Sequence, residues 1–122
     1  YGIKTIKAVP VREDGSCEMP EFPTVTAAIT ALAHTTISAV LIDTRCAATP
    51  ASRSRPLDPA FCRDLVQISQ KPLILSGGLT GDNLGQILKA AAPYGVDILT
   101  GTEDAPGQKS KEKIEKICRI IL

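Results

Sequence analysis

The sequence predicts an α/β fold in which four strand–helix units follow one another and share a parallel sheet. Three observations carry this prediction. Short, almost wholly apolar runs recur along the chain and stop at polar or glycine residues. Each run is followed by a stretch with helical periodicity, and the pair repeats at roughly 30 residues, the size of a strand–helix–strand unit. Runs without apolar–polar alternation suit strands covered on both faces, as parallel strands are.

The elements are read in order. Ile3 to Val11 alternates apolar and polar residues and is rich in β-branched side chains, which predicts a strand. Arg12 to Pro23 holds Asp14-Gly15, Pro20 and Pro23, all turn formers. Thr24 is placed to cap an Ala-rich helix running to Ala33. Ala39-Val40-Leu41-Ile42 is a buried strand ending at Asp43, and Thr44 to Pro56 is a long polar loop. Asp58-Pro59 supplies an N-cap followed by proline at the first helical position, so Pro59 to Ser69 is a helix. Pro72 to Leu75 is the third strand, closed by Ser76-Gly77-Gly78, and a helix follows from about Asp82 to Ala92. Val96 to Leu99 is the fourth strand, followed by Thr100-Gly101. Ser110 caps a last helix, Lys111 to Leu122, with Ile114, Ile117, Cys118 and Ile121 on one face. Two architectures fit: an open doubly wound sheet, or a segment of a barrel whose strand ends carry the chemistry.

Composition narrows the function. Aromatic residues are 3% of the chain and Trp is absent, so the core must be built from Ile, Leu, Val and Ala. A net charge of +1 with no basic stripe gives no support for nucleic acid as a partner. Lys109, Lys111, Lys113 and Lys116 alternate with Glu112 and Glu115 and read as the solvated face of the last helix. Cys17, Cys46, Cys62 and Cys118 form no CxxC pair and have only His34 as a companion, so no metal site is expected, and no cofactor either. Scattered thiols and a chain opening directly on a strand-like segment lead us to expect a cytoplasmic protein without a leader. No apolar run approaches the ~20 residues of a membrane span.

The candidate site lies at the strand ends. Gly77 and Gly78 follow a buried strand, letting the backbone approach an anion and aim N–H groups at it; Thr100-Gly101 repeats the arrangement one unit later. Neighbouring strand ends of this kind bind phosphate in many barrels, although glycines also serve tight turns. Asp43 ends an apolar strand, where partial desolvation favours a raised pKa and general-acid work; a cap or turn aspartate is the alternative. Asp97 lies within a predicted strand, where its charge needs a polar site or an internal ion pair. Lys7 either faces the same pocket or packs outward. Arg53 and Arg55 either close over an anion or are solvated loop charges. His34 reads as a surface or capping residue. Nothing activates Cys46 as a nucleophile.

In order along the chain, these segments resemble the phosphoribosylanthranilate isomerases of tryptophan biosynthesis. Leu73 to Leu84 is similar to that family's LxGGLTPENV stretch, and Pro93 to Glu103 to its RPYGVDVSSGVE stretch. Ala105 to Lys109 follows its PGxKD segment, Ala39 to Thr44 its LLDT strand, and Thr5 to Val9 its IKA strand. The resemblance implies an eight-stranded TIM barrel that carries out an Amadori rearrangement of a phosphoribosylated anthranilate to the 1-deoxyribulose phosphate. It makes Asp43 the general acid and Asp97 a substrate contact. Gly77, Gly78, Thr100 and Gly101 become the phosphate-binding backbone.

The matching strands are the fifth to eighth of the barrel. Residues 1–122 are therefore expected to form one C-terminal half-barrel domain that self-associates or pairs with an N-terminal half. The family's general base, a cysteine ending the first strand, and its carboxylate-binding arginine after the second have no counterpart here, so the chain alone is expected to be inactive. The family's Gly-rich GGTGxxFDW run is replaced by Ala51 to Asp58, which contains no glycine. That departure leaves two alternatives open: a non-catalytic phosphate-binding module, or a sister barrel acting on another phosphorylated sugar.

Overall fold

A computed structural model describes residues 2–44 and 55–122. Within it, β1 (Ile6–Pro10), β2 (Ala39–Asp43), β3 (Leu73–Ser76) and β4 (Gly95–Asp97) form one parallel sheet in sequential order. Helices α1 (Val25–Leu32), α2 (Pro59–Ile68) and α3 (Leu84–Ala91) connect successive strands. After β4 come a single 3₁₀ turn (Thr100–Thr102), an antiparallel ribbon of β5 (Glu103–Ala105) and β6 (Gln108–Lys109), and α4 (Lys111–Ile121).

The predicted caps operate. Thr24 Oγ1 accepts from Ala27 N–H at 3.0 Å, Asp58 Oδ2 accepts from Phe61 N–H at 3.0 Å beside Pro59, and Ser110 Oγ accepts from Lys113 N–H at 3.4 Å. Each satisfies a first-turn donor that the helix itself leaves unpaired. Helix α3 ends on Ala92 in the left-handed region (φ 45°), with Pro93 preventing continuation.

Register decides what each strand offers. Val9, Ile42, Leu75 and Val96 lie side by side, as do Val40 and Leu73. These residues face the helices; Val9, Val40, Ile42, Leu73 and Leu75 are all buried, and Ile29, Cys62, Leu65 and Ile87 of the helices pack into the same core. The alternate row of Ala8, Leu41, Ile74 and Gly95 faces the other way, and no helix among the described residues covers it. Ile6 on this open face is 58% exposed.

Several expectations need correction. The first strand is Ile6–Pro10, not Ile3 to Val11: Val11 still donates to the Asp43 carbonyl at 2.8 Å, but its next partner is Cys17, in an isolated antiparallel bridge. The fourth strand is Gly95–Asp97, not Val96 to Leu99, because its partner β3 ends at Ser76, opposite Asp97. Helix α3 begins at Leu84 rather than Asp82, because residues 80–83 form a turn held by the Asn83 side chain. The hairpin β5–β6 was not foreseen. On α4 only Ile117 is buried, while Ile114, Cys118 and Ile121 are exposed. Lys7 is exposed and shares the face of Val40 and Leu73, so it is turned away from the face that carries Asp43.

Candidate functional site

The carboxyl ends of the four strands form the site. The last paired row is Pro10, Asp43, Ser76 and Asp97, all on the open face. Asp43 is half-buried. Asp97 is exposed and accepts a hydrogen bond from Ser76 Oγ at 3.0 Å. Strands in a sheet lie about 4.8 Å apart, so the two carboxylate-bearing strands are separated by roughly 10 Å with Ser76 between them. A ring-sized substrate lying over the strand ends spans such a gap.

The turn after β3 needs its glycines for two separate reasons. Gly77 (φ 101°) and Gly78 (φ 63°) both occupy the left-handed half of conformational space, where an L side chain is strained. Each also touches backbone or a fixed side chain. A Cβ on Gly77 would overlap Thr44 Oγ1 and lie 2.9 Å from Thr44 N, and one on Gly78 would strike Arg55 and Pro56. On the other flank, a Cβ on Gly101 would overlap the Leu79 carbonyl oxygen. The 77–79 turn is thus wedged between the residues following β2 and those following β4.

Two side chains brace this arrangement. Asn83 Oδ1 accepts from Thr80 N–H at 2.9 Å and its Nδ2 donates to Gly78 O at 2.9 Å. Lys109 Nζ donates to Leu99 O (3.1 Å), Thr102 Oγ1 (2.8 Å) and Glu103 Oε1 (3.0 Å), closing the 99–103 turn. Among the described residues, no acceptor takes the N–H groups of Gly78, Leu79, Thr100 and Gly101. Two adjacent turns therefore present free amide donors, the chemistry that binds an oxyanion.

A cavity of about 430 Å³ is lined by Thr80, Gly81, Thr100, Gly101, Lys113 and Lys116, among others. Its lysines are committed: Lys116 Nζ pairs with Asp82 at 2.6 Å and Lys113 Nζ with Asp104 at 3.0 Å. The hydrogen bonds from Lys116 and Lys113 hold the carboxyls of Asp82 and Asp104 below their ordinary range. A second cavity, of about 510 Å³, opens between the residues after β1 and after β2; Arg12, Thr44, Arg55 and Phe61 are in its wall. Thr44 Oγ1 is buried with no hydrogen-bond partner among the described residues.

The structure gathers Asp43, Gly77, Gly78, Asp97, Thr100 and Gly101 at one end of the sheet. Arg55 is exposed at the rim of the larger cavity, and Arg53 and Cys46 lie outside the described residues. His34 is exposed just after α1, remote in sequence from every strand end. Among the described residues, no group of three or more His, Cys, Asp or Glu side chains clusters to hold a metal ion. Sequence reasoning missed Ser76, Asn83 and the role of Lys109, which belongs to the turn and not to the solvated face of the last helix. The one hint in the sequence was Asn83, a polar residue where the apolar pattern of α3 begins.

Known proteins resemble this chain in sequence and fold. The family model described as N-(5'phosphoribosyl)anthranilate (PRA) isomerase matches residues 19–119. The N-(5'-phosphoribosyl)anthranilate isomerase of Pseudomonas putida is 40% identical over 83 residues, which is 67% of this chain and 38% of that protein. The crystal structure of phosphoribosyl anthranilate isomerase from Thermotoga maritima superposes with a TM-score of 0.70 at 25% identity, covering 98% of this chain and 51% of that one. A further phosphoribosyl anthranilate isomerase structure, in complex with reduced 1-(o-carboxyphenylamino)-1-deoxyribulose 5-phosphate, superposes with a TM-score of 0.64 at 24% identity, covering 96% of this chain and 47% of that one. The chain thus spans about half the length, or less, of the relatives it matches. Its α/β fold with a parallel sheet is theirs, and the family match covers most of its length: the chain belongs to the N-(5'-phosphoribosyl)anthranilate isomerase family.

Proposed function

We propose that this chain supplies the phosphate grip and the general acid of an N-(5'-phosphoribosyl)anthranilate isomerase of tryptophan biosynthesis. The observation that carries the proposal is the juxtaposition of two turns with free amide donors, 78–79 and 100–101, beside Asp43 and Asp97 on one open face. The phosphate sits in the Gly77-Gly78 and Thr100-Gly101 turns, against the amides of Gly78, Leu79, Thr100 and Gly101. Asp97, oriented by Ser76, contacts the ribosyl portion. Asp43 donates a proton to the ribose ring oxygen as the bond from that oxygen to C1 breaks, leaving an iminium between C1 and the anthranilate nitrogen. A base then removes the C2 proton, and the resulting enol becomes the 1-deoxyribulose ketone. Such proton transfers contribute about 10²–10⁴ in rate.

Among the described residues, none is placed to serve as the base. Cys17 and Cys62 are buried in the core and Cys118 is on α4, so none of these shares the strand-end row with Asp43. We infer that residues 1–122 act as one half-barrel domain, equivalent to strands five to eight, completed by four further β/α units. Support comes from what is left bare. Among the described residues, nothing covers the face of Ala8, Leu41 and Ile74, β1 and β4 each have one unpaired edge, and Ile114 and Ile121 are exposed on the flank of α4. Open edges and apolar faces of this kind demand a partner. Free thiols suit a cytoplasmic setting, and no helix among the described residues is long and apolar enough to cross a membrane.

The test is the decay of phosphoribosylanthranilate fluorescence with this chain alone and with an N-terminal half-barrel of the family added. Turnover is expected only in the mixture, falling by at least ~100-fold for Asp43→Asn. Unchanged turnover in the Asp43→Asn mixture would overturn the assignment of the acid.

A further inference from the structure

We propose that Asn83 is a positioning residue for the anion grip: its carboxamide locks the 77–80 turn so that the amides of Gly78 and Leu79 point outward together. The proposal rests on the phosphate grip inferred above and adds what holds it in shape. Asn83 stands at the N-cap position of α3, where an asparagine ordinarily accepts a hydrogen bond from its own helix. It makes no such bond. Both ends of its carboxamide are instead spent on the preceding turn, with Oδ1 taking Thr80 N–H and Nδ2 reaching Gly78 O, each at 2.9 Å. The helix start is supplied by Thr80, whose carbonyl accepts Leu84 N–H at 3.0 Å and whose Oγ1 accepts Asp82 N–H at 3.2 Å.

The consequence concerns the peptide groups of the turn. Gly78 has no Cβ and a positive φ, so its own conformational preference does not fix the direction of its peptide groups. Fastening Gly78 O and Thr80 N–H to one rigid, planar group fixes that direction. The bonds consume one acceptor and one donor of the turn and leave the Gly78 and Leu79 N–H groups without an acceptor among the described residues. A bound oxyanion then meets donors already in place and does not have to order a glycine turn, whose backbone freedom is costly to remove. Asn83 is itself turned toward the turn's backbone, so it acts on the anion only through Gly78 and Thr80.

The experiment titrates inorganic phosphate into the 122-residue chain while following the amide resonances of Gly78, Leu79, Thr100 and Gly101. Asn83→Ala is expected to weaken binding about tenfold in the folded protein, with the urea midpoint lowered as the loss of two hydrogen bonds requires. Asn83→Asp supplies the second arm and keeps the side chain's size. Above neutral pH its carboxylate accepts Thr80 N–H but repels Gly78 O. As pH falls toward 4 the introduced carboxyl regains a donor and mimics the carboxamide. With sulfate, which keeps its charge over that range, affinity relative to the parent chain is expected to recover on acidification. A role confined to stability produces no such recovery.

Outcomes separate cleanly. If the parent chain shows no response to phosphate or sulfate, the grip fails and the role of Asn83 falls with it. If the parent binds and Asn83→Ala binds equally well, the grip stands and the positioning role is overturned. Should Asn83→Ala not fold, the pH recovery of Asn83→Asp decides, and its absence overturns the proposal.

Discussion

A single methyl group at residue 101 is the sharpest perturbation of this site. Gly101→Ala would place its Cβ on the Leu79 carbonyl oxygen, 3.0 Å from the Leu79 carbonyl carbon and 3.1 Å from Ile98 Cγ2. The carbonyl oxygen lies far inside the 3.0 Å that real Cβ atoms keep from their neighbours, so the turns after β3 and β4 must part by about 1 Å or more. The obstacle is backbone and cannot swing aside as a long side chain would. Overpacking of this kind costs about 1–3 kcal/mol of stability. The effect on anion binding is separate. An amide set at about 2.9 Å from an oxyanion leaves hydrogen-bond range when displaced by that much. Each charge-assisted bond lost is worth about 1.5–3 kcal/mol, and 1.4 kcal/mol is tenfold, so phosphate affinity is expected to drop roughly 10- to 100-fold. Urea unfolding reads the first quantity and phosphate titration by amide shifts the second. Stability lost as expected with affinity unchanged would refute the shared grip, and neither quantity moving would refute the contact between the turns.

Two further predictions concern the scaffold. Ile42, fully buried on the helix-facing side of β2, is expected to cost about 2–5 kcal/mol when changed to Ala; a urea midpoint that barely moves contradicts its place in the core. Burial, aided by the Asp58 carboxylate, pushes the Cys62 thiol from its ordinary 9.0 up to about 11. Above pH 9 the unfolded chain therefore releases this proton while the folded chain keeps it. Stability is whole below pH 9 and falls by roughly 2–3 kcal/mol as pH rises toward 11, a slope that Cys62→Ala removes in unfolding experiments across that range.

The sequence alone determined the order of the four sheet strands and the four helices, because each apolar run is long enough for one strand and three of the helices carry their own cap: Thr24, Asp58 and Ser110 all bind the N–H groups their chemistry suits. It also marked Gly77, Gly78, Thr100, Gly101, Asp43 and Asp97, since residue types that punctuate buried strands stand out locally. Facing direction was another matter. Lys7 looked eligible for the pocket until the register paired it with Val40 and turned it to the opposite side from Asp43. Lys109 looked like a solvated charge, and Asn83 lay unremarked inside a helix expected from about Asp82, yet their hydrogen-bond partners belong to the turns after β3 and β4. Which side chain braces which turn is decided when strands pair and loops come into contact, and only the tertiary structure holds that information. A local pattern specifies what a residue is suited to touch; the packing of the sheet selects what it touches.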